Sequence, residues 1–136
     1  MDGVVPINLA IEFHDSEVSS VALGASELRV AFSAAIVHAS DGAPGSEDGI
    51  VVLQAVEMVL HGINGSVETE GCVGKLSDGY VEFEGSRQSM LPVPSSRTGS
   101  VRIDLSFANG SSLVASGGTL EVSRHGEPQF LEVFRC

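Results

Sequence analysis

Val101-Arg102-Ile103-Asp104-Leu105-Ser106-Phe107-Ala108-Asn109-Gly110-Ser111-Ser112-Leu113-Val114 is the stretch from which the fold is most readily read. Val101, Ile103, Leu105 and Phe107 alternate with Arg102, Asp104 and Ser106, the period of two shown by a strand with one buried face and one wet face. Asn109-Gly110 follows, a dipeptide that accepts the positive φ of a two-residue hairpin turn. Taken as that turn, it sets Leu105 opposite Val114 and Phe107 opposite Ser112, and an apolar face runs across both strands.

The same pattern spreads outward through the chain. Ile7, Leu9, Ile11 and Phe13 alternate with Asn8, Ala10 and Glu12, and Leu28, Val30 and Phe32 continue through Ala34 and Ile36. Asp-Gly or Asn-Gly pairs stand at 2–3, 41–42, 48–49, 64–65, 78–79 and 109–110. This punctuation predicts a largely antiparallel meander. With Asp78-Gly79 as a turn, Leu76 faces Val81 and Lys75 faces Glu82, an opposite-charge pair. With Asn64-Gly65 as a turn, Val56, Met58 and Leu60 meet Val73, Gly71 and Thr69, while Glu57, Val59 and His61 meet Cys72, Glu70 and Glu68. Val51–Leu60 also fits helical spacing, but its β-branched residues favour a strand. The stretch from Gly85 to Gly99, with Pro92 and Pro94, reads as a long irregular loop.

Composition narrows the function classes. The 136 residues carry 18 acidic and 7 basic side chains, so the formal charge is 7 − 18 = −11. Lys75 and six scattered arginines form no basic stripe, which argues against nucleic acid and against an anionic membrane surface. A hydrophobic content of 43% is ample for one core, and no composition shift marks a second, so residues 1–136 read as a single domain. The first residues lack the pattern of a signal peptide, and no apolar run reaches the length of a membrane span. Cys72 and Cys136 are the only cysteines, too few for a disulfide scaffold, so a reduced cytoplasmic protein is expected.

Few residues point to chemistry. If the Asn64-Gly65 hairpin forms, Glu57, His61, Glu68, Glu70 and Cys72 share a face, and imidazole, carboxylate and thiolate together suit zinc. Side chains on a flat sheet face stand roughly parallel and do not converge on one ion, so no bound metal and no cofactor is expected, and a solvated acidic face is the plainer account. His14-Asp15-Ser16 invites a general-base reading, yet neighbours on an extended chain point to opposite faces and Asp-Ser is ordinary turn chemistry. His38 and His125 have no identifiable partner in sequence and read as structural. Asp41, Glu47 and Asp48 lie in an acidic loop whose spacing does not match a calcium-binding loop. Gly117-Gly118 lacks the lysine or helix start of a phosphate cradle, and no Gly-x-Ser-x-Gly elbow occurs.

The segment Ile11-Glu12-Phe13-His14-Asp15-Ser16-Glu17-Val18 resembles the opening of small, mostly uncharacterised bacterial all-β proteins, among them immunity-like proteins of toxin–antitoxin-type competition systems. The likeness covers about eight residues and transfers no functional residue. It implies a small bacterial cytoplasmic protein. The expectation is therefore an all-β domain of about eight to ten antiparallel strands, a β-sandwich or flattened β-barrel built from hairpins. Its expected role is that of a non-catalytic interaction or binding module, not an enzyme, which neutralises a basic partner. The alternative is a metal-dependent enzyme or metal-binding protein using His61 and its neighbouring carboxylates.

Overall fold

The computed structural model describes residues 8–135, so the Asp2-Gly3 pair and Cys136 lie outside the described residues. The chain is all-β. Its strands are β1 (Asn8–Leu23), β2 (Glu27–Ser40), β3 (Gly49–His61), β4 (Gly74–Phe83), β5 (Ser86–Gln88), β6 (Met90–Pro92), β7 (Ser95–Phe107) and β8 (Ser112–Phe134). All pairings are antiparallel, and the order is β5-β4-β7-β8-β3-β2-β1-β6. A short contact between β1 and β4, Glu17↔Lys75 and Val18↔Gly74, closes six of these strands into a ring, a flattened barrel. No helix among the described residues is long and apolar enough to cross a membrane.

The alternation read from the sequence fills this ring. Ile11, Phe13, Leu28, Phe32, Met58, Leu60, Leu76, Ile103, Leu105 and Leu120 are buried and pack as one core. Val51–Leu60 lies within β3, as its β-branched residues require. The strand order is not the simple meander expected: β8 returns to pair with β3, and β4 lies between β7 and β1.

Four corrections concern turns. Asn109-Gly110 does turn the chain, but as part of the three-residue loop 108–110. The Gly110 N–H donates to Phe107 O at 3.0 Å, and Gly110 takes a φ of +92°. A type I turn followed by a left-handed glycine adds one residue to the loop and shifts the register by one. Leu105 therefore pairs with Leu113, Asp104 pairs with Val114, and Val114 is exposed. Asp78-Gly79 is no turn at all: β4 runs straight through it, so Leu76 and Val81 belong to one strand. Here glycine serves close approach, because a Cβ on Gly79 would sit 2.8 Å from Leu105 Cδ2 and 2.9 Å from Phe13 Cβ. Asn64-Gly65 does not return β3 on itself, since both edges of β3 are taken by β2 and β8. The 85–99 stretch is likewise not an irregular loop: it holds β5, β6 and the start of β7.

Long strands bend where residues are inserted. Between Glu12↔Ile36 and Glu17↔Ala34, β1 carries four residues against one in β2. Ser33-Ala34 of β2 oppose one residue of β3, and residues 126–128 of β8 oppose Gln54. These bulges lie side by side and bend β1, β2, β3 and β8 along one line. On one side of the line is the barrel. On the other, residues 8–12, 35–40, 49–54 and 129–134 form a four-stranded plate flanked by β6.

Buried side chains satisfy the backbone groups that the bulges release. The Ser16 hydroxyl, fully buried, donates to Glu12 O at 2.5 Å and accepts from Ile36 N–H at 2.9 Å. Ser16→Ala orphans both groups and is expected to lower stability by about 1–3 kcal/mol in denaturant unfolding. Gly79→Ala is expected to cost about 1–3 kcal/mol in the same measurement by overpacking Phe13 and Leu105. An unchanged unfolding midpoint in either variant contradicts the corresponding contact.

Candidate functional site

Where β1 bends, two imidazole–carboxylate pairs come together close to one another. Asp15 sits at a φ of +70°, a left-handed conformation that Asp tolerates better than most residues. The resulting kink turns His14 and Asp15 toward one another, and His14 Nδ1 lies 3.3 Å from Asp15 Oδ2. The expectation that the two neighbours point apart is corrected here, because it assumed an extended chain. On the plate, Ala10 pairs with His38 and Glu12 with Ile36, which makes Glu12 and His38 diagonal neighbours across β1 and β2. His38 Nε2 lies 2.7 Å from Glu12 Oε1, with the imidazole buried and the carboxylate half-buried.

Two open cavities meet at Glu12. One, of about 240 Å³, is lined by Glu12, Asp15, Ile36, His38, Val51, Leu131 and Glu132. The other, of about 370 Å³, is lined by Glu12, His14, Asp78, Gly79, Ser89 and Met90. A carboxylate–imidazole pair with cavities on both sides can anchor a polar group of a ligand or partner. The nearby Ser16 hydroxyl is held by Glu12 O and Ile36 N–H. In the sequence His38 has no identifiable partner, and the fold supplies one in Glu12. The Glu12–His38 pair depends on the β1–β2 register beyond the residues inserted in β1, which no turn dipeptide announces.

The group at His61 assembles differently from the expected one. His61 faces outward from β3 with Nε2 2.6 Å from Glu121 Oε1 and Nδ1 3.5 Å from Glu27 Oε1. Glu57 shares that face but binds Arg29, whose Nη1 is 3.1 Å from Glu57 Oε1. Glu68 and Glu70 are exposed in the segment after β3, while Cys72 is buried. The Asn64-Gly65 hairpin that was to join these residues does not form, so the set Glu57, His61, Glu68, Glu70 and Cys72 is not brought together. Among the described residues no group of three or more His, Cys, Asp or Glu side chains is placed to hold a metal ion. In the acidic loop, Glu47 Oε2 accepts from Ala43 N–H at 2.6 Å, which turns that carboxylate back onto its own backbone. His125 stands exposed with Nε2 3.3 Å from Ser123 Oγ.

Cys72 lies against the far turn of the barrel, its Sγ 3.5 Å from Ser112 O. Burial pushes this thiol above its ordinary value of 9.0. A raised folded value leaves stability intact below about pH 9. As pH climbs further, the unfolded thiol ionises first, so that contribution is lost up to the folded value. A neutral, buried thiol is also a poor nucleophile. In a Cys136→Ser chain, Cys72 is expected to react with a thiol reagent far more slowly when folded than in denaturant. Equal rates contradict its burial. Comparison of the chain with protein-family models, curated proteins and solved structures gives no match, so the site is assigned from its geometry alone.

Proposed function

We propose that the protein is a non-catalytic interaction module that engages a cationic partner, in the manner of an immunity-type bacterial protein. One observation carries the reading: the chain's cations are largely engaged within the fold, and a surplus of exposed carboxylates is left. Arg29 pairs with Glu27 and Glu57, and Arg102 with Asp104. Arg87 pairs with Glu82 and covers the Tyr80 ring, and Arg97 covers the Phe83 ring. Against this, Glu17, Asp41, Glu68, Glu70, Asp78, Glu127 and Glu132 are exposed. A surplus of 11 negative charges steers a positive molecule toward the surface over distances of about 8 Å at physiological salt.

The reading is tested by measuring the association rate of the immobilised protein with a strongly basic globular protein, and with any basic protein it captures from a bacterial lysate. The rate is expected to fall about tenfold or more from low to high ionic strength. A rate independent of salt removes electrostatic recognition from the account.

A further inference from the structure

We propose that the open edge of β8 is a self-association surface, on which a second copy of the chain adds its own β8 antiparallel to the first. This goes beyond binding a cationic partner and rests on the open backbone edge and apolar side chains of β8. The pairing of β7 with β8 stops at Ser95↔Val122, whereas β3 follows β8 as far as Gly49↔Phe134. From Ser123 to Phe134, one edge of β8 therefore has no strand beside it among the described residues. An uncovered edge presents a row of backbone donors and acceptors ready to pair with another chain.

Beside its charged residues this edge exposes large apolar side chains. Seven large hydrophobic side chains are exposed among the described residues, and four of them, Ile50, Phe130, Leu131 and Val133, gather at this edge. Val52↔Phe130 and Ile50↔Val133 are direct pairs, so Ile50, Val52, Phe130 and Val133 share one face of the plate. Phe130 alone is 64% exposed. Pro128 removes one donor at the start of the segment, so pairing begins after it.

Charge selects the occupant. The edge carries Arg124, Glu127, Glu132 and Arg135, which sum to zero in a chain of −11, so nothing at this edge calls for a cationic partner. The segment from Glu127 to Arg135 is instead complementary to itself: it begins with an acid and ends with a base. An antiparallel copy with Leu131 on the two-fold axis lays each Glu127 opposite Arg135 of the second copy, sets the two Leu131 side chains together, and brings each Phe130 opposite Glu132 of the other copy. The two acidic bodies repel one another, and salt screens that repulsion. Self-association therefore strengthens with ionic strength, opposite in sign to the binding of a cationic partner.

Sedimentation and amide hydrogen exchange of the full chain test this across salt and protein concentration. A reversible dimer is expected that tightens as salt rises, with the amides of 129–134 gaining protection in step with dimer formation. Phe130→Glu, at an exposed position whose replacement spares the core, is expected to weaken the dimer about tenfold or more. Glu127→Arg and Arg135→Glu are each expected to weaken it, and the double variant to restore it, which a merely structural role would not produce. A chain that stays monomeric at all salt concentrations overturns the proposal. So does a dimer as tight in Phe130→Glu as in the parent, or protection of 129–134 that appears only when a different protein is added.

Discussion

Strands of 13 to 23 residues cannot wrap a core this small without breaking their hydrogen-bond ladders somewhere, and three of the breaks, between β1 and β2, β2 and β3, and β3 and β8, lie along one line. What makes the line tolerable is a pair of buried polar side chains. The Ser16 hydroxyl takes up Glu12 O and Ile36 N–H, and the Gln54 amide donates to Gly126 O at 2.9 Å. Burying those backbone groups unpaired would cost as much as several good apolar contacts return. With them satisfied, four strands bend together, the lower halves close the barrel, and the upper halves stand out as a plate.

The Glu12–His38 pair and the side chains around it lie on or beyond that bend, whereas the His61 group and Cys72 belong to the barrel. The kink at Asp15 brings His14 to its carboxylate, the inserted residues of β1 set Glu12 diagonal to His38, and the cavities on either side of Glu12 open at the discontinuity. The plate also accounts for the exposed apolar edge. Residues 129–134 extend past the end of β7, so their outer side lies beyond the closed ring. A barrel removes edges only as far as its strands are of equal length.

The charge distribution gives the two ends of the molecule different characters. Arginines on the barrel wall are held by carboxylates or lie over rings, which uses local positive charge without reducing the total negative surplus. Exposed pairs of this kind contribute little to stability. The four charges near the β8 edge sum to zero, so the surplus of negative charge lies on the rest of the molecule.

The all-β class and most of the core were legible in the residues, because period-two alternation is a direct consequence of burying one face of a strand. Ile11, Phe13, Leu28, Phe32, Ile103 and Leu105 are buried as their spacing requires. Turn dipeptides were a weaker guide. Asn-Gly and Asp-Gly permit a positive φ but do not compel one, and whether it is used depends on what the neighbouring strands offer. At Asn109-Gly110 the turn formed with one extra residue. At Asp78-Gly79 the lack of a side chain mattered more than the turn tendency, because Phe13 and Leu105 press against that backbone. At Asn64-Gly65 β3 already had two partners. Strand identity was thus determined by local alternation. Strand order, the Glu12–His38 pair and the bare edge of β8 were decided only by the tertiary structure, since each depends on pairings between distant segments whose register is set by bulges, and no single strand encodes them.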